Sequence, residues 1–405
     1  MDIKNIKSEF PIFKQKINGK LLVYLDSANS SQKPKSVIDR ISNFYETEYS
    51  NVGRSVHSLA VKATNRFEAT RDIVKKYINA QHREEIIFTK GATESINLIA
   101  STYGEKYINA GDEILITELE HHSNYVPWHF LRKKKGAIIK FAPVNKNGEV
   151  EIDEIKKLIT DKTKIIAITH ISNVTGAILP IKKITGLAKE KNIPVLIDGT
   201  QGAPHLQIDM QDLGCDFYAI SCHKMYGPNG LGILYAKKKW LDDLPPYQGG
   251  GGMIDEVKKD NITYAETPTK FESGTLQTAE VVAFAESINF IEKLGIKNIL
   301  AHENEILEYG LEKLKKNNSI NIIGNPKERG SILCFTIKGI HPHDIATILD
   351  DEGVAIRAGH HCCQILHDKL GVSATARASV GVYNTKEDID ILCKAIDNCK
   401  KLFQI

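Results

Sequence analysis

Between residues 85 and 236 the chain alternates short β-rich runs with helical patterns, and this alternation constrains its fold more than any other feature. The runs occupy residues 85–89, 113–117, 165–169, 195–198, 217–221 and 232–236. Helical patterns lie between them, as in residues 181–191. Strands alternating with helices predict an α/β fold, a mainly parallel sheet with helices on both faces. The runs are apolar throughout rather than at every second residue, which fits strands buried on both sides. Ligands on such sheets gather at the carboxyl ends of the strands. The residues that end these runs are therefore where chemistry is expected.

At 405 residues the chain is long enough for two domains and a substantial core. Hydrophobic content of 42% and charged content of 25% are those of a soluble globular protein. A formal net charge of +3 argues against a nucleic-acid partner. The start Met1-Asp2-Ile3-Lys4 runs into Lys7, Glu9 and Lys14, unlike a signal peptide. No apolar run approaches a membrane span, so no membrane partner is expected. Seven cysteines are scattered without a CxxC pair. An odd, scattered set predicts reduced thiols and a cytoplasmic location. His360-His361-Cys362-Cys363 holds metal-ligand types, but four adjacent residues do not readily face one tetrahedral ion, and no metal site is expected.

Composition shifts after Gly249-Gly250-Gly251-Gly252. Residues 255–269 read as an exposed loop or hairpin. Helices are expected over 279–294 and 299–317, strands over 331–337 and 354–357, and a closing helix from Lys386. The predicted organisation is an N-terminal segment over 1–20 packing with a small domain, a large α/β domain over 21–285, and a smaller α+β domain over 286–405.

Several run ends carry reactive residue types. Lys224 follows the run 217–221 within Ser221-Cys222-His223-Lys224. A hydroxyl, an imidazole and an amine crowded together lower a lysine's pKa and suit it to Schiff-base chemistry. A glycine turn at Lys90-Gly91-Ala92-Thr93 opens a helix, where backbone N–H groups and the Thr93 hydroxyl could cradle a phosphate, or Thr93 could be an ordinary cap. Ser221 and His223 are further phosphate donors. Asp198 ends an apolar run, and a buried carboxylate there calls for a cation such as a protonated ring nitrogen, or else caps the next helix. Gln201, a turn later, could bond a ring hydroxyl. His121, in Glu118-Leu119-Glu120-His121-His122-Ser123-Asn124, could stack on a flat ring and serve as acid or base. A Schiff-base lysine, an acidic partner for a pyridine nitrogen, a phosphate cup and a stacking imidazole together outline pyridoxal 5'-phosphate.

The order of these elements resembles the class V branch of the fold type I aminotransferases, with a large seven-stranded-type sheet domain and a smaller C-terminal domain. The closer resemblance is to the Suf-type, short-loop group of cysteine desulfurases, and it covers nearly the whole chain. It is carried by Tyr24-Leu25-Asp26-Ser27-Ala28, Gln32-Lys33-Pro34, Val56-His57-Ser58-Leu59, His170-Ile171-Ser172-Asn173-Val174-Thr175-Gly176, Phe271-Glu272-Ser273-Gly274-Thr275, Arg357-Ala358-Gly359-His360-His361-Cys362 and Ala376-Arg377-Ala378-Ser379. The Gly-His-His-Cys element is the specific one.

The resemblance implies a catalytic set of Lys224, Cys362 and His121. It implies that Lys224 holds the cofactor, His121 stacks on its ring, Asp198 pairs its nitrogen, and Gln201 and Asn173 lie near its hydroxyl. Thr93, Ser221 and His223 would bind the phosphate, with Thr275 reaching across from a second subunit of a homodimer. Arg377, with Arg357, Asn173 and His57, would surround the L-cysteine substrate. Cys362 would take its sulfur as a persulfide, releasing alanine, and pass it to an acceptor protein of the Suf system for iron–sulfur cluster assembly. A selenocysteine lyase would use the same cofactor and is the alternative. The chain departs from the family pattern at Asn29, where a small apolar residue is usual, at Cys222 for glycine, at Cys363 for alanine, at Ile365 for proline, and at Gly252 for a larger polar residue.

Overall fold

A computed structural model describes residues 1–53 and 55–405. Its centre is a seven-stranded sheet of β1 (Ile86–Thr89), β2 (Glu113–Thr117), β3 (Ile138–Ala142), β4 (Thr163–Thr169), β5 (Val195–Asp198), β6 (Phe217–Ser221) and β7 (Gly232–Ala236). The spatial order is β1-β7-β6-β5-β4-β2-β3. β7 is antiparallel to both β1 and β6, and every other pairing is parallel. β6 and β7 are joined by a short turn rather than a crossover helix, which permits only the antiparallel arrangement.

Five of the seven strands are buried along their whole length. That is what continuous runs of Ile, Leu, Val and Phe require, because neither face can meet water. The edge strand β3 differs. Ile138 is exposed, and Lys140 reaches back to Glu113 of β2 at 2.8 Å. Its apolar run is broken by that lysine, and the sequence reading passed over it.

A second sheet comprises β8 (Ile320–Ile322), β9 (Ile332–Ile337), β10 (Arg357–Gly359) and β11 (Thr375–Ser379), in the order β8-β9-β11-β10 and antiparallel throughout. The helices Ile296–Lys315 and Pro342–Asp351 pack on it, and Lys386–Leu402 packs against both of them. The strand expected over 354–357 is two pieces. Val354–Ala355 pairs parallel with Val23–Tyr24, whereas Arg357–Gly359 turns to pair with β11. Val23 and Leu25 belong to the apolar cluster of this second sheet, whereas Ile6 and Phe10 of the N-terminal segment pack in the cluster of the large sheet. Residues 255–269 contain the expected hairpin, Ile254–Val257 against Ile262–Tyr264.

A buried ion pair ties the large sheet to the segment that crosses between the two. Arg71 grips Glu272 through two hydrogen bonds of 2.8 and 2.9 Å, and Glu272 also accepts the Phe88 N–H of β1 at 2.7 Å. The bidentate fork and the extra donor satisfy charges that burial alone would penalise heavily.

Candidate active site

The parallel strands of the large sheet all end on one side. There β1 passes through Gly91 into the helix Ala92–Tyr107, β5 ends on Asp198, and β6 ends on Ser221 before the 3-10 turn Cys222–Lys224. β7 begins on that side, and a Cβ on its first residue, Gly232, would lie 2.4 Å from the Gly91 backbone. Only glycine lets the strand approach the turn so closely. These ends wall a cavity of about 230 Å3. Thr93, His121, Asn173, Asp198, Gln201, Ser221, His223, Lys224, Arg357 and Cys362 all reach its wall.

The Lys224 turn is held from outside. The His223 carbonyl accepts from the Ser31 N–H and hydroxyl, each at 3.1 Å, and from Lys33 Nζ at 2.7 Å. Burial pushes the Lys224 amine down to about 8; the Arg377 and Arg357 charges push the same way, and Asp198 opposes them. A lysine so placed is neutral in a useful fraction near neutral pH, which nucleophilic amine chemistry needs.

Asp198 is buried, and its Oδ1 accepts the Thr200 N–H at 3.0 Å. Burial pushes its carboxyl up, while the Thr200 bonds and the Lys224 charge pull it down. A cationic N–H from a ligand ring would complete this partner set. His121 receives the Ser123 N–H on Nδ1 at 3.1 Å, with the Ser123 hydroxyl 2.8 Å away. Nδ1 is thus an acceptor, and the ring proton belongs on Nε2. Burial, then the charge of Lys224, holds the imidazole down at about 3, so it is neutral. Gln201 is fixed by donating Nε2 to the Ala28 carbonyl at 2.7 Å.

At the phosphate end the helix Ala92–Tyr107 has no side-chain cap, and Ser221 Oγ takes only the Ala92 N–H, at 3.1 Å. Other N–H groups of the first turn face an anion site. His223 Nδ1 lies 3.1 Å from Ser30 Oγ, and burial, then Lys224, pushes its ring down to about 4. A pyridoxal phosphate fits this donor set. Bound there, its ring nitrogen would face Asp198, its aldehyde Lys224, its phosphate the helix start and its ring a neutral imidazole.

The loop after β10 is strained. His361 and Cys362 have φ of 51° and 59°, a region that disfavours side chains. Such strain persists only where surroundings over-determine it. Here His122 N–H donates to the Cys362 carbonyl at 2.8 Å, and Asn173 Nδ2 to the His361 carbonyl at 2.7 Å. The His361 ring lies 2.9 Å from the Thr375 hydroxyl. Arg357 Nη2 donates to Cys362 Sγ at 3.6 Å.

Three expected residues are not on the wall. Arg377 is fully buried behind it, donating to the Asn173 carbonyl at 3.0 Å and to Asp26 Oδ1 at 3.2 Å, while its Nε has no partner among the described residues. Thr275 is exposed and lines a separate depression of about 450 Å3 with Ser55, Gly252 and Gly274. His57 is exposed and accepts the Ala60 N–H as a helix cap. Four contributors carry no site role in the sequence analysis: Asp26, Asn29, Glu120 and Ser123. Glu120 is buried, and accepts from Thr117 Oγ1 at 2.6 Å, Asn124 Nδ2 at 2.6 Å and the Thr169 N–H at 3.1 Å. It ties the His121 turn to β4. A carboxylate following an apolar run was the available signal.

A larger groove, about 890 Å3, lies at the opposite ends of the strands. Its acids are already met: Asp216 by Val195 N–H, Lys237 and Trp240 Nε1, and Glu85 by the N–H groups of Gln81, His82 and Lys238. Among the described residues no group of three or more His, Cys, Asp and Glu is placed to hold a metal.

The family model for class-V aminotransferases matches residues 23–392, a span that contains every residue of the cavity wall. The chain belongs to the class-V aminotransferase family. It is 49% identical over 403 residues to the "Probable cysteine desulfurase" of Staphylococcus epidermidis, covering 99% of this chain and 98% of that one. It is 46% identical to the protein of the same description from Halalkalibacterium halodurans, covering 100% and 99%. Two solved structures superpose closely. The cysteine desulfurase CsdA of Escherichia coli gives a TM-score of 0.92 at 35% identity, with 99% of both chains covered. The apo cysteine desulfurase of Thermococcus onnurineus gives 0.93 at 32% identity, with 98% of both covered.

Proposed function

We propose that the cavity at Lys224 is the active site of a pyridoxal-phosphate-dependent cysteine desulfurase, with Cys362 as the residue that accepts sulfur. The placement of Cys362 on the same wall as Lys224 carries this reading. A transaminase has no use for a thiol there. Bound in the cavity, the cofactor supplies an aldehyde for the substrate amine and an electron sink for the adjacent carbon.

The chain's own residues do the rest. Lys224 Nζ, held near neutrality, takes and returns the proton at the substrate Cα. Asp198 stays anionic against a ring N–H and keeps it protonated. Thr93, Ser221 and His223 hold the phosphate. Arg357 and Asn173, on the wall, receive the substrate carboxylate, with the buried Arg377 adding its positive charge from behind; a guanidinium fork suits that group. Cys362, as thiolate, gives an electron pair to the substrate sulfur. The new S–S bond forms as the C–S bond breaks, and that bond's electrons remain on carbon, which is protonated to leave alanine. The step is redox-neutral overall. An acceptor protein of the Suf system then takes the sulfur for iron–sulfur cluster assembly.

Thr275 and His57 lie outside the cavity of their own chain, and they serve the site of a second copy. An apolar band supports this. Val56 is 93% exposed, Leu59 and Val61 are exposed on the helix Ser58–Tyr77, and Tyr45 on Lys35–Thr47 and Tyr49 just beyond it are exposed as well. A patch of this kind marks an interface. Light scattering is expected to give about twice the 45.1 kDa chain mass, and a monomer at working concentration would remove the reading. All seven cysteines are free thiols, which supports a cytoplasmic location, and among the described residues no helix is long and apolar enough to cross a membrane.

The test is Cys362→Ala. The holoenzyme is expected to keep its visible cofactor absorbance and bind cysteine, yet lose sustained sulfide release with an acceptor and a reductant. Undiminished turnover would move the sulfur elsewhere.

A further inference from the structure

Asn29 departs from its family's motif, and the structure gives its side chain two partners. Its Oδ1 accepts from Arg357 Nη1 at 2.8 Å. Its Nδ2 donates to Asp26 Oδ2 at 3.1 Å. The other arm of Arg357 is the one that donates to Cys362 Sγ, at 3.6 Å. The second oxygen of Asp26 accepts from the buried Arg377, at 3.2 Å. A continuous chain therefore runs from Arg377 through Asp26, Asn29 and Arg357 to the sulfur. Asn29, Arg357 and Cys362 all lie on the cavity wall.

A guanidinium is a rigid planar fork, so fixing Nη1 fixes the direction of Nη2. A small apolar side chain at position 29 would offer Nη1 no acceptor. We propose that Asn29 is a positioning residue, which holds one arm of Arg357 so that the other stays on the Cys362 sulfur and favours its thiolate. This rests on Cys362 being the sulfur acceptor. A charged donor on sulfur stabilises the thiolate over the thiol.

Other titratable groups face Cys362, and none is held by Asn29. Lys224, His121, His223 and Asp198 line the same cavity, His122 bonds its carbonyl, and His360 and His361 belong to its own loop. Asn29 is itself exposed, so truncating it removes nothing from the core.

The experiment is alkylation of the holoenzyme with iodoacetamide, quantified on Cys362 by mass spectrometry. Asn29→Ala is expected to label about tenfold more slowly than the unaltered enzyme at pH 7, with the two rates converging near about pH 10, where thiols in general are ionised. The cofactor absorbance is expected to be unchanged. Arg357→Ala should slow labelling at least as much. The double variant should label at the Arg357→Ala rate, because Asn29 then has nothing to hold. An unslowed Asn29→Ala at pH 7, rates that stay apart at high pH, or further slowing in the double variant would each overturn the proposal. Labelling needs no turnover. A failure of Cys362 as acceptor would show separately, as turnover surviving in Cys362→Ala.

Discussion

Two adjacent cysteines end the loop after β10, and the fold gives them different chemistry. Cys362 reaches the cavity beside a guanidinium. Cys363 turns inward, 1% exposed, and donates its S–H to Asn173 Oδ1 at 3.0 Å. Burial pushes its thiol well up, and Asn173 only partly offsets this. Cys222, where glycine is usual, is likewise buried, and its thiol is pushed well up. Thiols in such surroundings are inert. The Cys363 bond has a structural use, since it fixes the amide of Asn173, whose Nδ2 holds the strained His361 carbonyl. Cys363→Ala is expected to keep most of its turnover and to lose about 1 kcal/mol of stability for a weak hydrogen bond and a small void. After incubation with cysteine, fragment ions should place the added sulfur on Cys362. Sulfur found on Cys363, or a dead Cys363→Ala enzyme, would reverse this assignment.

At the scale of elements, legibility followed how much of the signal was local. β2, β5, β6 and β7 begin and end where the apolar runs do, because turns or polar residues bound each run. β4 starts two residues before its apolar run, at Thr163, whose hydroxyl bonds Glu113 of β2. That partner is fifty residues away and leaves no local mark. β3 was missed because Lys140 breaks its pattern, and only the fold supplies the Glu113 that accepts it. The break at 354–357 needed two different pairing partners, Val23–Tyr24 and β11, to be seen. The site divides the same way. Asp198 and Ser221 end strands, and Lys224, His121 and Thr93 come three or four residues after one, so strand ends were readable. Asn29 meets Arg357 across 328 positions, and Asp26 meets Arg377 across 351. No periodicity or spacing pairs residues so distant. Thr275 and His57 were read by resemblance alone, and one chain by itself does not bring them to the cavity.

For the molecule as a whole, the cost of assembling these strand ends is a set of imidazoles buried without charge. Burial is the leading cause in each case. It pushes His121 down to about 3, His170 and His223 to about 4, and His361 to about 2, all from an ordinary 6.5. Unfolding returns each to its ordinary value. Between pH 6.5 and those lowered values the unfolded chain therefore binds more protons than the folded one. Stability then rises with pH across that window and falls on acidification. Two carboxyls oppose the trend. Burial pushes Glu120 up to about 8 and raises Asp198, so the folded chain holds their protons longer and their contribution falls as pH rises. His122, His302 and His367 are pushed down by burial as well, so seven imidazoles against two carboxyls leave the histidines in control below pH 6.5. The cofactor-free protein is expected to lose melting temperature steadily as pH is lowered from about 6.5 to about 4. His170 allows the origin to be checked away from the cavity wall, because it is wholly buried against the Tyr218 hydroxyl at 2.8 Å. His170→Gln removes one titrating group and keeps a polar partner for that hydroxyl, so its melting curve should be less steep in acid than that of the unaltered protein. A melting temperature that held level or rose on acidification, or an unchanged slope in His170→Gln, would show that the buried histidines do not set the acid limit of this fold.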